Sequence, residues 1–435
     1  MVKKKIIIAS YRCPYNTSYV NVSNHIDDLN VGGVSRGLIS ALKDRDYRWF
    51  CIDKQKVTGD KIVSMKIGRE DERLFYDVFC NTYLWPMFHY IRKTDTYNES
   101  AFNTYKKINK KFANLIASYQ ELKDQRVIVN DYQITLLPYF LRKAGFKNIS
   151  FFWHIPWVDE MYISTLPWIY DIVNGILNAD IIGFHTEAYK EKFREFVRLK
   201  LNIPVNKNRI IYDDREVKLV VRPFGIKMDN KINRIYTKKG NRKVIFSIDR
   251  LDFTKGILQK INAVEMLLES EPSMHSHFDY YMVVSPSRES ISTYKDLKKN
   301  VEQMVGMVNG KYNTKSWTPI KYFYRKINEH DLIDFYKLAD ILIVTPFMDG
   351  LNLVTEEFIE HSQDGVIVIS KFAGISTFIK KEVVIVNPYV VSDIYKGILK
   401  GLKMSKTERL IKMKKMKQFV MKNDVVKWLK VMSDE

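Results

Sequence analysis

Cysteine is scarce in this chain. Only Cys13, Cys51 and Cys80 occur in 435 residues, with no C-x-x-C pair. A thiolate zinc framework is therefore excluded, and the odd count suits a reducing compartment. Glycine and proline are also sparse, at 18 and 12, which argues against long disordered linkers. No apolar run approaches the roughly 18 residues that a membrane-crossing helix needs. Met1 to Lys5 followed by Ile6-Ile7-Ile8 mimics a secretory signal, but polar Ser10-Tyr11-Arg12 cuts the run short. A first buried strand is the better reading. Acidic residues are outnumbered, 50 against 70 basic ones, for a formal charge of +20. The Lys and Arg are spread along the chain. The densest stretches, 106–111 and 403–417, carry apolar residues at helical spacing and read as solvated helix faces. The chemistry of active sites shows gaps as well. There is no H-E-x-x-H, no D-x-D after a strand, no G-x-S-x-G and no Cys/His pairing, so no metal site and no covalent nucleophile is expected. The expectation is a cytoplasmic protein with no cofactor, whose partners are small phosphate-bearing molecules, with no nucleic acid and no membrane. Whether it forms a homo-oligomer stays open.

What is present is an alternation. The chain is 46% hydrophobic and long enough for two domains. Short apolar runs at 6–9, 127–129, 149–152, 181–184 and 219–221 read as strands in the first half. Runs at 244–247, 280–284, 320–323, 341–344, 366–369 and 383–386 do so in the second. They are continuous rather than alternating, as parallel strands covered on both faces require. Helical stretches intervene, such as 34–42 with Val34, Leu38 and Leu42 at four-residue spacing. The order β-α-β-α predicts an α/β fold with doubly wound parallel sheets. The pattern pauses over 225–242, which is rich in Lys and Asn. This places one domain at 1–228 and a second at 229–435, with the last helix packing back on the first. Ligands of such sheets bind outside the carboxyl ends of the strands, here at a cleft between the domains.

Several residues sit where chemistry is expected. Arg250 and Lys255 lie in the strand-to-helix string DRLDFTKG (249–256). Two cations there suit a diphosphate, through charge-assisted hydrogen bonds and the Arg fork. An Arg/Asp salt-bridge cluster capping the helix is the alternative. The string TPFMDGLNLVTEE (345–357) runs from a strand through a Gly loop into a helix. The amides near Asn352, Leu353 and Val354 can hold phosphate. Asp349 can accept from sugar hydroxyls and Glu357 from a ribose diol; a turn residue and a surface carboxylate are the plainer readings. Gly32-Gly33 precedes the 34–42 helix, Arg12 follows the first strand and His154 ends another. Tyr76 and Trp85 read as core aromatics on pattern alone.

Taken together these strings resemble the trehalose-6-phosphate synthase family, glycosyltransferase family 20. The resemblance runs through NTYLWPMFHY (81–90), VNDYQITLLPYFLR (129–142), FFWHIP (151–156), ADIIGFHT (179–186), SIDRLDFTKG (247–256), SPSR (285–288), NGKYNTKSWTP (309–319), TPFMDGLNLVTEE (345–357), SKFAG (370–374) and VNPY (386–389). It implies two Rossmann-like domains of the GT-B type. It also implies transfer of glucose, with retention, from a nucleoside diphosphate glucose to glucose 6-phosphate. Carried over, Arg250 and Lys255 match the donor diphosphate cations, and backbone from Asn352 through Leu353 to Val354 matches further phosphate contacts. Gly33 matches a loop beside the donor phosphate. Asp349 and His154 match contacts to the donor sugar and Glu357 the contact to the ribose. Arg12, Tyr76, Trp85 and Arg288 match the acceptor phosphate site, and Asp131 an acceptor hydroxyl contact. No metal is implied. The chain departs from the pattern at Tyr11, at Asn130 and Gln133 around Asp-Tyr, over Val158-Asp159-Glu160 and at Met348. These departures leave open another phosphorylated acceptor, such as glycerol 3-phosphate or a cyclitol phosphate; a non-catalytic family member is a separate alternative, against which the presence of Arg250, Lys255, Asp349 and Glu357 argues. The base of the donor is not specified.

Overall fold

The computed structural model describes residues 5–14, 33–91, 96–228, 240–289 and 291–434. Gly32 and most of the expected boundary, 229–239, lie outside the described residues. The chain divides into two compact units, Met1–Lys227 with Asn423–Glu435, and Met228–Lys422.

Among the described residues the first unit has nine strands: β1 (Ile6–Ser10), β2 (Tyr47–Asp53), β3 (Ile62–Lys66), β4 (Arg126–Asn130), β5 (Ile149–Trp153), β6 (Ile181–Phe184), β7 (Val205–Asn206), β8 (Arg209–Tyr212) and β9 (Arg215–Val221). Their order is β3-β2-β1-β4-β5-β6-β9-β8-β7. All neighbours from β3 to β9 pair parallel, and β9-β8 and β8-β7 pair antiparallel. Ile6 to Ala9 and every residue of β5 and β6 are buried, because helices cover both faces. Four strands escaped the sequence reading, β2, β3, β7 and β8. Arg48 interrupts the apolar run of β2, and β3 contains Ser64. The carboxylate pair Asp213-Asp214 is the two-residue turn between β8 and β9, with φ of 47° and 57°. That conformation matches the twist of a hairpin and is tolerated best by short polar residues.

Helix Val425–Ser433 belongs to this unit. Trp428 is fully buried against Phe224 and Phe152, with ring centroids 4.9 and 5.1 Å apart. Ser150 Oγ donates to the Met432 carbonyl at 2.7 Å. Cys13 and Cys51 form a disulfide that ties the end of β1 to β2, while Cys80 is buried outside it. The odd cysteine count therefore says nothing about the redox environment, contrary to the expectation drawn from it.

The second unit holds one parallel sheet of six strands: β10 (Lys243–Arg250), β11 (Phe278–Ser285), β12 (Ile320–Tyr324), β13 (Ile341–Val344), β14 (Val366–Ser370) and β15 (Val384–Val386). Their order is β12-β11-β10-β13-β14-β15. Its core collects Ile245, Tyr280, Met282, Ile343 and Val368 with Ile261, Val264 and Leu268 of the helix Ile257–Ser270. Among the parallel strands of each sheet the order reverses once, between β1 and β4 and between β10 and β13. Successive crossovers leave the sheet on opposite faces there, which opens a crevice at the carboxyl ends of those strands.

Candidate active site

In the second unit, the switch point is where the expected donor residues gather. Arg250 is the last residue of β10. The chain then makes a single tight turn, Phe253–Lys255, and enters the helix Ile257–Ser270 through Gly256 at φ +62°. A Cβ on Gly256 would lie 2.4 Å from the Thr345 carbonyl oxygen. Only glycine lets the β10 turn approach the β13 loop this closely. Phe347 N–H then donates to the Thr254 carbonyl at 2.7 Å, so the two loops are stitched together.

This stitching brings Lys255 to Asp349. Lys255 Nζ donates to Asp349 Oδ2 at 2.7 Å, with side chains 12% and 16% exposed. Asn352 Nδ2 reaches the same oxygen at 3.0 Å. Asn352 stands at φ +89° and caps the helix Leu353–His361, its Oδ1 accepting from the Thr355 amide at 3.1 Å. The amides of Leu353 and Val354 in the first helical turn have no intrahelical acceptor, so the turn can receive an anion. Asp349 itself is held by backbone: its N–H donates to Phe372 O at 3.2 Å, and its carbonyl accepts from Gly374 N–H at 3.0 Å. Glu357 Oε2 accepts from Tyr336 O–H at 2.8 Å. Arg250 is more open than Lys255 or Asp349, 40% exposed, with Nη2 4.0 Å from Asp252 Oδ2. The salt-bridge cluster that stood as an alternative at this turn is thus present, and it leaves Arg250 facing solvent.

The first unit gathers the expected acceptor residues at its own switch point. Arg12, just past β1, donates through Nη2 to Tyr76 O–H at 2.8 Å. Tyr11 stacks on Tyr76 with centroids 4.5 Å apart. Tyr76 lies on the widened helix Arg73–Leu84, and its carbonyl accepts from Asn81 Nδ2 at 2.8 Å. Asn81 Oδ1 accepts from Tyr132 O–H at 3.2 Å, and Tyr132 packs on Trp85. Asp131 follows β4 at φ +76°, and its Oδ1 accepts from the His154 amide at 3.3 Å. His154 is 9% exposed; burial, helped by His185, pushes its pKa well below the usual histidine range. It is therefore neutral, and Nε2–H donates to Asn130 Oδ1 at 2.9 Å. That bond leaves Nδ1 a bare acceptor, buried and with no partner among the described residues, which suits a hydroxyl donor. Gly33 opens the helix Gly33–Leu42.

Three expected residues stand apart from their groups: Gly33 and His154, expected at the donor, lie in the first unit, and Arg288, expected at the acceptor, does not. It belongs to the second unit, its side chain is 3% exposed, and Nη1 donates to Asp252 Oδ2 at 2.6 Å and to Tyr294 O–H at 2.9 Å. Sequence reasoning missed Asp252, Tyr294, Tyr336 and the buried pair Lys260–Asp249. Asp252 was visible in DRLDFTKG, but a carboxylate among cations carries no sign of burial. Among the described residues, no group of three or more His, Cys, Asp or Glu side chains could hold a metal ion. Among them also, no helix is long and apolar enough to cross a membrane.

Residues 51–435 match glycosyltransferase family 20. The chain belongs to that family. This family-20 chain is 33% identical to the α,α-trehalose-phosphate synthase [UDP-forming] of Pichia angusta, over 98% of each chain. It is 32% identical to the bifunctional trehalose-6-phosphate synthase/phosphatase of Thermoproteus tenax, over 86% of this chain and 53% of that protein. The chain thus spans about half the length of that relative. A solved UDP-forming α,α-trehalose-phosphate synthase from Burkholderia xenovorans in complex with glucose-6-phosphate is similar with a TM-score of 0.85 and 26% identity, over 98% of each chain. The family-20 chain is a glycosyltransferase with the two Rossmann-like sheets of the GT-B fold, and its substrates are small molecules.

Proposed function

We propose that this protein moves glucose, with retention, from a nucleoside diphosphate glucose to the anomeric hydroxyl of glucose 6-phosphate, giving trehalose 6-phosphate. The observation that carries the reading is the pairing of Lys255 with Asp349 beside Arg250 at the β10/β13 switch point. A cation pair for a diphosphate and a carboxylate for sugar hydroxyls stand there within one hydrogen-bonded loop system. The names of the relatives from Pichia angusta and Burkholderia xenovorans support the same substrates.

In this reading Arg250 and Lys255 hold the diphosphate with the Leu353 and Val354 amides, and the diphosphate draws Lys255 away from Asp349. Asp349 then accepts from the glucose hydroxyls, His154 Nδ1 from another, and Glu357 from the ribose. Gly33 lets backbone approach the phosphate. The family resemblance assigns Arg12, Tyr76, Trp85 and Arg288 to the acceptor phosphate and Asp131 to an acceptor hydroxyl. The bond from the anomeric carbon to the diphosphate oxygen breaks as the acceptor oxygen bonds to the same face. The acceptor proton passes to the departing phosphate oxygen. No protein base is required, and the protein contributes orientation and charge stabilisation.

The test is nucleotide release with glucose 6-phosphate as acceptor. Uridine, adenosine, guanosine and thymidine diphosphate glucose are supplied in parallel, and the sugar product is identified. Trehalose 6-phosphate is the expected product. Nucleotide release only with glycerol 3-phosphate or a cyclitol phosphate would replace the acceptor, and release with none would refute the reaction.

A further inference from the structure

One carboxylate in the second unit is shared by two arginines that the proposed reaction assigns to different substrates. Asp252 is fully buried. Its Oδ1 accepts from the Thr254 amide at 3.0 Å and the Thr254 hydroxyl at 2.9 Å, which starts the turn after β10. Its Oδ2 faces two guanidinium groups, Arg288 Nη1 at 2.6 Å and Arg250 Nη2 at 4.0 Å. The arginines arrive on neighbouring strands. Arg250 ends β10 in register with Ser285, the last residue of β11, and Arg288 follows three residues later. Arg288 stands at φ +52°, an unfavourable backbone for a long side chain.

A buried carboxylate survives only where cations and hydrogen bonds compensate it. Burial pushes the Asp252 carboxyl up; Arg288, then Arg250 and Lys255, outweigh burial and bring it down to about 2. The group is thus charged at any working pH. It cannot touch a substrate from its position, yet both guanidinium groups are aimed by it.

We infer that Asp252 is a positioning residue common to both substrates, orienting Arg250 towards the donor diphosphate and Arg288 towards the acceptor phosphate. The inference rests on the proposed reaction for the identity of the two anions. It gives the carboxylate a specific consequence: loss of its charge loosens both arginines together, whereas loss of either arginine weakens one anion.

Calorimetric titration of the full chain with UDP and, separately, with glucose 6-phosphate tests this. Asp252→Asn keeps an oxygen for Thr254 and removes the charge. Both affinities are expected to fall about tenfold or more, Arg288 losing a charge-assisted hydrogen bond and Arg250 an ion pair at 4.0 Å, with the melting temperature within a few degrees of the parent. Arg250→Ala is expected to weaken UDP alone and Arg288→Ala glucose 6-phosphate alone. A variant at Asp252 that leaves either ligand within threefold of the parent, or binds either more tightly, overturns the inference. If Asp252→Asn fails to fold because Arg288 is left buried without its partner, the double variant Asp252→Asn/Arg288→Met removes both charges. UDP affinity is still expected to fall about tenfold there, and parental UDP affinity would overturn the role. Binding rather than turnover is read. A chain that makes no trehalose 6-phosphate but loses both ligands in Asp252→Asn would sink the proposed reaction and leave Asp252 in place. A parent that binds neither ligand would sink both.

Discussion

At the scale of single residues, the site is a set of charges that neutralise one another until an anion enters. Lys255 is occupied by Asp349, while Arg250 keeps much of its surface in contact with solvent. Arg250 is therefore the cation best placed to meet a diphosphate first. Arg250→Ala is expected to lower turnover by roughly 10²–10³, the scale of losing one preorganised charge stabiliser. Near-parental turnover in a steady-state assay would refute the assignment. A second residue reports on stability. His361 stacks on Tyr336, the tyrosine that holds Glu357. Burial, then Lys337 and Lys417, push its pKa down to about 4, against about 6.5 for histidine in an unfolded chain. Between those values the unfolded chain takes up a proton that the folded one does not. This group therefore contributes stability above pH 6.5 that is lost as the pH falls towards 4. His361→Gln is expected to flatten that acid limb in urea-denaturation midpoints measured from pH 7 down to 4. An unchanged slope would show that other groups set it.

At the scale of elements, function depends on where strands end. Both sets of candidate residues stand at the carboxyl ends of strands flanking an order reversal, Arg12 and Asp131 after β1 and β4, Arg250 and Asp349 after β10 and β13. What holds the second pair of loops together is the close approach at Gly256. Its φ of +62° disfavours any side chain, and a Cβ there would meet the Thr345 carbonyl oxygen at 2.4 Å. Gly256→Ala is expected to destabilise the fold on the order of 1–3 kcal/mol, and to reduce turnover further by parting Lys255 from Asp349. Denaturation midpoints and steady-state kinetics on the same preparation check both. A variant with parental stability and activity would show that the loops can separate without cost.

At the scale of the whole molecule, the chain's last helix completes the unit begun by its first strand. Trp428 fills a space between Phe224, Phe152 and His154, and a Cβ on Gly225 would lie 2.0 Å from the Asn423 carbonyl oxygen. Trp428→Ala is expected to cost about 3–5 kcal/mol, from lost burial plus the cavity left behind. Because that cavity opens beside His154, turnover is expected to fall as well. Chemical denaturation and the transferase assay, compared with a surface change such as Lys427→Ala, separate this from a general effect of altering the tail. The charge of +20 is dispersed over helix faces such as those of Glu99–Ala117 and Lys406–Lys422, in keeping with phosphate-bearing small substrates.

The strand runs, the α/β class and the residues at strand ends were legible in the chain because a strand covered on both faces must be apolar throughout, and the loop after it must be polar. β2, β3, β7 and β8 were not, because Arg48, Ser64 and the polar residues leading to the Asp213-Asp214 turn break the apolar signal that short strands depend on. The Lys255–Asp349 contact could be suspected from two strings 94 residues apart, but only the packing of β10 against β13 brings them together. Burial was decided in three dimensions as well. Nothing in DRLDFTKG or SPSR tells a solvated Asp from one sealed beneath two arginines, since desolvation depends on every element packed around the group. The same holds for His154, whose burial among residues from β5, His185, Phe224 and the final helix keeps it neutral, and whose bare Nδ1 follows from the Asn130 contact. Sequence named the chemical groups; packing set their charge state, their partners and which of them an incoming anion can reach.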